Sequence, residues 1–402
     1  MAEIKDYSRE RARRGFAPEA PDEDYRAKIR RHRAANMYRL LLIIGVCAGF
    51  ALLLILQFNR HVYTEYEVID VAETDTNYSA TDLRLGNSIL TYSKDGAHAR
   101  NEKGDVTWNQ TYGLQDVLVS VNGGTTALAG YNDREIYVAD EAGIISNIST
   151  TMPIKDVTVS ESGEVSAVLV DTLVTWIETY GPDGVKKYSG QTHMSNSGYP
   201  VALSLSPNGV LLSVAYVYVD AGVVKTSVAF YNFGDVGENS NDYMVSAYPY
   251  TDILVPVVRF MNNDTCFAVG DSRLMMYKGA QKPEVTNEFL YDEEVLGVYY
   301  SKDYVGLVFN GGSDSAKYRM KVYNSQAKEI GAFDIGIDYN DIFFEEDGFV
   351  AYNERECQIT TLKGLEKFAG EFNESVRLMT PTKGAYRYKL VTDSEVKTIQ
   401  LR

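Results

Sequence analysis

The sequence is poor in the residues that build disulfide scaffolds and most metal sites. It holds 3 cysteines and 4 histidines among 402 residues. Three cysteines are too few for a disulfide-built scaffold, and we expect Cys266 and Cys357 to be buried free thiols. His61, His98 and His193 have no second histidine or cysteine at metal-ligand spacing. No metal site is therefore expected.

Positive charge is scarce as well, since 55 acidic residues outweigh 39 lysines and arginines and give a net charge of −16. This balance argues against a general nucleic-acid binder, which needs a basic surface. The sequence contains no nucleophile elbow, zinc-protease motif or phosphate-binding loop. Carboxylates are abundant, so a hydrolase with a pair of axial carboxylates is an alternative, although the runs 292–294 and 345–347 are interpreted as solvated loops. Whether the protein is an enzyme stays open, and a function without catalysis is favoured.

The charge is unevenly distributed and divides the chain into three parts. Residues 1–39 carry 11 lysines and arginines against 7 acidic residues, residues 40–58 carry no charge, and the remainder has a net charge of −20. We therefore predict a basic cytoplasmic tail (1–39), a transmembrane helix (40–58) and an extracytoplasmic domain (59–402).

The uncharged segment has the length of a membrane helix. Its residues would rise roughly 28 Å as a helix, close to the ~30 Å hydrocarbon core of a bilayer. Basic residues that flank a membrane helix stay in the cytoplasm, and this segment is preceded by Arg30, Arg31, Arg33 and Arg39. The sequence thus predicts an uncleaved signal anchor in the cytoplasmic membrane, with the N-terminus inside and the C-terminal domain outside. A cleaved signal peptide is the alternative.

Two glycines inside this segment, Gly45 and Gly49, share one helix face. Small residues at this spacing let a second helix approach closely, so they are candidates for helix packing in a homodimer. Chance is the alternative, because glycine is common in membrane helices. A paired helix would also suit a single-pass transducer that signals through the basic tail.

Helical periodicity is nearly absent after Tyr63, where short β-branched and aromatic runs alternate with polar turns. The 30 tyrosines of the chain suit such strands. One unit, a strand followed by a tight Gly, Asn or Asp turn and a second apolar strand, recurs along the chain. Its turns fall at positions 87, 123, 163, 209, 263, 303, 348 and 384. A period of roughly 40–50 residues is typical of four-stranded propeller blades, so these turns predict an all-β propeller of eight blades.

The last repeat is incomplete and tests this prediction. After position 384 there is room for two strands, whereas an additional strand, Tyr66–Val71, precedes the first repeat. If this N-terminal strand completes the eighth blade, the ring closes and leaves no exposed sheet edge. A seven-bladed ring with one irregular repeat is the main alternative, and a pair of β-sandwiches is another.

Short motifs in the repeats resemble those of known propellers. The stretch 88–108, with its Gly-x-Val-x-Trp ending, is similar to a quinoprotein-like blade, and Ser206-Pro-Asn-Gly209 resembles the turn of WD-repeat-like blades. Together with the anchor, residues 63–402 resemble an uncharacterised family, a domain of unknown function, of membrane-anchored bacterial β-propellers. The resemblance implies fold and location but no activity. The adjacent cysteines of quinoprotein dehydrogenases are missing here, so no cofactor is expected.

The sequence therefore favours a membrane-tethered propeller that acts as a binding or scaffold module for a protein or glycan of the cell envelope. The expected partners are the lipid bilayer, through residues 40–58, and an unidentified envelope protein or glycan; no nucleic acid is expected. The longest interval between turns contains the polar, aromatic excursion Asn232–Tyr250. It is either a binding loop on a rigid scaffold or a neutral insertion.

Overall fold

The chain forms two compact units, Met1–His61 and Val62–Arg402. The computed structural model describes residues 23–74, 79–172, 174–192, 198–251, 253–313 and 316–402. The first 22 residues of the predicted tail lie outside this description, and so does His193.

The first unit contains one helix, α1 (Glu23–Arg60), within the described residues. It begins well before the predicted membrane segment because the stretch ahead of position 40 is rich in alanine and arginine, which favour helix. Residues Arg30–Leu53 are long and apolar enough to cross a membrane, and none of this segment is buried inside the protein.

The second unit is an all-β propeller. Its described residues form eight antiparallel sheets of four strands each, which rules out both the seven-bladed ring and the pair of sandwiches. Seven blades each use four consecutive strands. Blade 1 contains β2 (Thr81–Leu85), β3 (Ser88–Ser93), β4 (Gly96–Arg100) and β5 (Val106–Thr111); blade 2 contains β6 (Val117–Asn122), β7 (Thr125–Gly130), β8 (Glu135–Asp140) and β9 (Ile144–Ser149); blade 3 contains β10 (Ile154–Val159), β11 (Val165–Asp171), β12 (Val174–Tyr180) and β13 (Lys186–Thr192).

The next four blades continue in the same order. Blade 4 contains β14 (Tyr199–Leu205), β15 (Leu211–Asp220), β16 (Val223–Asn232) and β17 (Met244–Thr251); blade 5 contains β18 (Val257–Phe260), β19 (Thr265–Val269), β20 (Arg273–Lys278) and β21 (Glu284–Leu290); blade 6 contains β22 (Gly297–Tyr300), β23 (Tyr304–Ser313), β24 (Ala316–Asn324) and β25 (Glu329–Ile335); blade 7 contains β26 (Asp341–Phe344), β27 (Gly348–Tyr352), β28 (Glu356–Thr361) and β29 (Glu366–Glu371). The interval between the turns at 209 and 263 is long because it includes the two ten-residue strands β15 and β16, a short helix α2 (Asp235–Glu238) and a 3₁₀ turn (Asn241–Tyr243).

Blade 8 joins the two ends of the propeller. It contains β30 (Leu378–Pro381), β31 (Arg387–Val391), β32 (Glu395–Leu401) and, as its outer strand, β1 (Tyr66–Glu73). Strands β1 and β32 are antiparallel, with Tyr66 opposite Leu401 and Glu73 opposite Glu395. The prediction that an N-terminal strand closes the ring is confirmed.

The core lies between the blades, where each sheet packs on the next. Phe230 of blade 4 contacts Tyr277 of blade 5 with ring centroids 5.0 Å apart, and the Tyr277 hydroxyl shares a hydrogen bond of 2.7 Å with that of Tyr250. Buried tyrosines thus add apolar area to the core, and their hydroxyls can hydrogen-bond to each other in pairs. Cys266 and Cys357 are buried and free, as predicted.

The antiparallel strands give the ring two different faces. The turn after the first strand of a blade and the turn after its third strand lie on one face, which we call the turn face. The turns after the second strands and the connections between blades lie on the other, which we call the connection face. The first residues of the propeller unit lie on the turn face, where Tyr63 N donates to Lys367 O (2.8 Å) and Thr64 N donates to Arg402 O (3.0 Å).

On the turn face, neighbouring blades are linked directly through the turns that the sequence analysis identified. The links, as donor and acceptor, are Gly86 N to Gly123 O (2.8 Å), Ser162 N to Pro207 O (3.0 Å), Asn208 N to Asn263 Oδ1 (3.0 Å) and Asn262 Nδ2 to Lys302 O (3.2 Å). These turns therefore hold blade to blade as well as reversing the chain.

Candidate binding sites of the propeller

A polar cavity of about 280 Å³ lies among the inner strands of blades 2 to 6. Several side chains that line it connect one inner strand to the next. The Ser120 hydroxyl accepts a hydrogen bond from Val159 N (3.2 Å), and the Ser204 hydroxyl accepts one from Phe260 N (3.0 Å). Part of the polar lining therefore stabilises the ring through hydrogen bonds between neighbouring inner strands.

Asp156 and Arg259 are the charged residues among those that line this cavity. Burial raises the pKa of Asp156, while a hydrogen bond from Val157 N (2.8 Å) and the charge of Arg259 oppose the rise. Arg259 Nη1 also donates to Leu203 O (3.1 Å). Since Asp156 is the one carboxylate among the described lining residues, the carboxylate pair of a glycosidase is not assembled in this cavity.

Glu345 lies where blade 7 meets blade 8. Its Oε2 accepts a hydrogen bond from the Tyr388 hydroxyl (3.0 Å). Burial raises the pKa of Glu345 to about 7, and the hydrogen bond from Tyr388 offsets part of that effect. The interpretation of the run 345–347 as a solvated loop is therefore wrong for Glu345, although Glu346 and Asp347 are exposed.

An apolar groove of about 470 Å³ opens on the connection face between blades 5 and 6; we call it the blade 5–6 groove. One wall is the connection that leads into β18, and the other is the connection from β21 to β22. Its apolar lining includes Leu254, Pro256, Val257, Val295, Leu296 and Val298. Leu254 and Leu296 are each 47% exposed. Exposed apolar side chains that converge in a concave site are typical of a binding surface.

Hydrogen bonds fix both walls of this groove. Asp271 N donates to Leu254 O (3.1 Å), and Leu296 N donates to Val308 O (2.8 Å). The Tyr291 hydroxyl donates to Gly270 O, in the turn between β19 and β20 (2.6 Å). The groove is therefore formed before a partner arrives, which lowers the entropic cost of binding.

The rim of the groove is acidic. Asp271 and Glu294 line it, Asp292 and Glu293 adjoin them, and all four side chains are exposed. Glu293 pairs with Lys321 (2.7 Å). Within the described part of the chain, the other three carboxylates form no ion pair.

The excursion Asn232–Tyr250 forms one side of a second cleft, between blades 3 and 4, with a volume of about 440 Å³. Asp242 lines this cleft together with Tyr188 and Tyr231. The ring of Tyr188 packs against Tyr231 and Tyr243, with centroids 5.9 and 5.6 Å apart. The excursion thus forms one wall of a cleft, and its Tyr243 side chain packs in an aromatic cluster with Tyr188 and Tyr231.

The site residues predicted from the sequence all lie on α1. Gly45 and Gly49 have open space where a side chain would project, so the helix face that they share is uncovered within the described residues. The basic residues predicted at the membrane interface are all exposed: Arg30, Arg31, Arg33 and Arg39. The roles in helix packing and at the membrane interface stay predictions.

Comparison with known proteins supports the fold and leaves the function open. Residues 59–401 match a family described as a family of unknown function (DUF5711). No curated protein matches the chain. Sqt1 of Chaetomium thermophilum, bound to the N-terminus of the ribosomal protein L10, is similar in structure with a TM-score of 0.52 and 12% identity, over 83% of this chain and 99% of that chain.

Two further crystal structures are similar at the same level. A second structure of Chaetomium thermophilum Sqt1 has a TM-score of 0.50 and 12% identity, over 83% of this chain and 98% of that chain. BamB from Moraxella catarrhalis has a TM-score of 0.48 and 10% identity, over 84% of this chain and 100% of that chain. At such low identity the similarity to the two Sqt1 structures shows the fold alone.

Proposed function

We propose that this chain, which belongs to the family of unknown function DUF5711, is a non-catalytic binding module that a membrane helix tethers outside the cytoplasmic membrane. The propeller binds a protein partner of the cell envelope through the blade 5–6 groove. That groove is the single observation that carries the proposal, since it combines exposed apolar side chains with walls that are already fixed.

The membrane tether in this proposal is helix α1. Its apolar segment Arg30–Leu53 has no protein cover, and an apolar helix surface of this length is stable in a bilayer and unfavourable in water. The arginines ahead of residue 40, where the uncharged stretch begins, favour an N-terminus in the cytoplasm. A cleaved signal sequence would remove α1, so the mass of the mature protein in the membrane fraction decides between an anchor and a signal.

A partner protein is favoured over a glycan by the character of the groove. Its lining is mainly aliphatic, whereas sugar recognition relies on polar groups that converge on hydroxyls. The fold itself is suited to the task, because Sqt1, a propeller of similar structure, was crystallised with a peptide terminus of another protein.

Site-specific photocrosslinking in native membranes tests this function. A photoreactive phenylalanine replaces Leu296 in the groove, and a control replaces Val185, which is 61% exposed on the turn face. We expect a discrete protein adduct from position 296 that weakens when Leu254→Ser is added, and no such adduct from position 185. Equal adducts from both positions, or none from position 296, would contradict the proposal.

Self-association through the helix is a separate part of the proposal. The open face at Gly45 and Gly49 would let two copies of α1 pack closely. Replacing both glycines with leucine should abolish crosslinked dimers of the full-length chain, whereas Cys47→Leu, on the opposite side of the helix, should leave them. Dimers that persist in the double glycine variant would remove the basis of a paired helix and of the transducer alternative.

A further inference from the structure

The blade 5–6 groove also indicates what kind of segment it binds. We infer that its occupant is a basic, extended peptide segment that places one aliphatic side chain in the groove between flanking lysines or arginines. This inference rests on the proposed binding function and adds the chemistry of the partner.

The apolar part of the recognition comes from the base of the groove. Leu254 and Leu296 face it from opposite walls, and both are about half exposed. Val257 and Val298 extend the surface toward the core, where they pack on the buried cluster between blades 5 and 6. An aliphatic side chain placed there would remove apolar area from water on every side, which is the main source of affinity at such sites.

The basic part comes from the rim. Asp271 lies beside the Leu254 wall, because its amide donates to Leu254 O (3.1 Å). Glu294 and Asp292 belong to the opposite wall, so carboxylates stand on both sides of the apolar base. Lysines or arginines on either side of the buried residue would meet this negative rim. Exposed charges of this kind contribute to specificity and association rate more than to affinity.

Within the described residues, neighbouring cations pair with only one of the four rim carboxylates. Lys321 pairs with Glu293 (2.7 Å), and Arg273, at the start of β20, pairs with Glu288 (3.0 Å). Each of these cations is therefore matched by a carboxylate of its own. The three other rim carboxylates keep their charge available to a partner.

A second copy of the chain is a less suitable occupant. The rest of this chain beyond residue 58 has a net charge of −20, so two propellers would bring like charges together at the rim. Like charges that face each other across an interface weaken association. Charge complementarity thus points to a basic segment.

The experiment uses the full-length protein in phosphatidylcholine nanodiscs and three labelled heptapeptides. The first has a central leucine flanked by lysines, the second replaces the leucine with serine, and the third replaces the lysines with glutamates. We expect the leucine–lysine peptide to bind at least about tenfold more tightly than either of the others. Its affinity should fall as salt rises from about 0.05 to about 0.5 M, because salt screens exposed charges.

Variants of the protein locate the binding. The double variant Leu254→Ser/Leu296→Ser should lose about tenfold in affinity for the leucine–lysine peptide, while Val185→Ser on the turn face should not. Neutralising the rim with Asp271→Asn, Asp292→Asn and Glu294→Gln should weaken binding by several-fold to about tenfold.

A matched control neutralises the same number of charges elsewhere. Glu284, Glu329 and Glu371 are exposed on the outer strands of blades 5, 6 and 7, and their replacement with glutamine should leave the affinity within about twofold. An equal loss in this control would mean that the peptide responds to the overall charge of the propeller, and would overturn the inference.

Other outcomes also overturn the inference. Equal binding of the serine and leucine peptides would show that no side chain enters the groove, and equal binding of the glutamate peptide would show that the rim does not select charge. Binding to empty nanodiscs alone would assign the peptide to lipid. A groove-dependent dimer in sedimentation, lost in Leu254→Ser/Leu296→Ser, would assign the groove to a second copy.

The photocrosslinking test of the function fails independently of these results. An adduct from position 296 in native membranes, together with no peptide binding, would retain the binding module and reject the basic segment. Peptide binding without an adduct in native membranes would reject the proposed function.

Discussion

The two faces of the propeller are built by different means. On the turn face, short turns bond to one another from blade to blade, as between Ser162 N and Pro207 O (3.0 Å). On the connection face, links between blades are longer and carry exposed aliphatic side chains such as Leu254 and Leu296. The comparison teaches that the short turns of one face are used for contacts between blades, whereas the longer connections of the other face leave aliphatic side chains exposed in a groove. Variants on each face test this difference between them.

The largest effect is expected where a side chain is added to the turn face. Gly209 has φ +67°, and a Cβ there would lie 2.2 Å from the Glu164 carboxylate, which the Ser160 hydroxyl holds at 2.8 Å. Gly209→Ala should therefore lower the free energy of unfolding by roughly 2–4 kcal/mol, because backbone strain adds to displacement of Glu164. Urea unfolding measures this change.

A matched glycine on the connection face provides the control. Gly222 has φ +80°, but nothing lies within 4 Å of the position that its Cβ would occupy. Gly222→Ala should therefore cost only the backbone strain of about 1–2 kcal/mol. Equal losses in the two variants would show that the packing of turns on the turn face adds nothing to stability.

The next effect concerns pH and the junction of blades 7 and 8. The pKa of Glu345 is raised to about 7, chiefly by burial, so the folded protein holds this proton more tightly than the unfolded chain does. Ionisation is then unfavourable in the folded state, and stability should fall as pH rises from about 4.5 through about 7, by on the order of 3 kcal/mol. Glu345→Gln keeps the acceptor for Tyr388 and removes the charge.

Unfolding of Glu345→Gln at several pH values measures that contribution. The difference in stability between this variant and the wild type should change from about pH 4.5 through about pH 7 and level off above about pH 8. A constant difference across the whole range would show that Glu345 titrates normally. Glu346→Gln, which removes an exposed carboxylate from the same acidic run, is the control for the loss of one charge.

A smaller effect is expected from a single link on the turn face. Asn263 Oδ1 accepts the Asn208 amide (3.0 Å) across blades 4 and 5. Asn263→Ala should cost about 0.5–1.5 kcal/mol, and hydrogen exchange at the Asn208 amide should become faster. An Asn208 amide that stays equally protected would mean that this link does not hold the turn.

The smallest effect is expected in the groove. Leu254→Ser/Leu296→Ser changes two side chains that are already half exposed, so the free energy of unfolding should shift by about 1 kcal/mol or less. Circular dichroism during thermal unfolding measures it, with Leu307→Ser, which is fully buried, as the destabilising control. A large loss in the groove variant would assign Leu254 and Leu296 to the core.

Much of the fold was predictable because its signals are local. Residues such as Gly123 and Gly209 adopt positive φ in the turns, and a hairpin turn of this kind favours glycine or asparagine wherever it occurs. The segment Tyr66–Val71 could be recognised as the missing outer strand because the last repeat supplies only three strands of its own, and the observed strand extends from Tyr66 to Glu73. The ring then followed from counting turns and from the need to pair the free edges.

The sites were harder to predict because they depend on contacts between distant blades. Leu254 and Leu296 are single leucines in two separate connections, and nothing in either sequence segment indicates that they share a groove. Glu345 looked solvated within its acidic run, since the Tyr388 that covers it comes from the next blade. The only available signal for the groove was the run 292–294, whose acidic residues mark its rim.

The pairing of β1 with β32 also sets the order in which the protein can be completed. The first strand made after the apolar helix, β1, stays unpaired until β32 is made, because its partner residues run from Glu395 to Leu401. A product that stops before β32 leaves a sheet edge open in blade 8, and open edges invite aggregation and proteolysis. A closed ring therefore requires that synthesis has continued through β32.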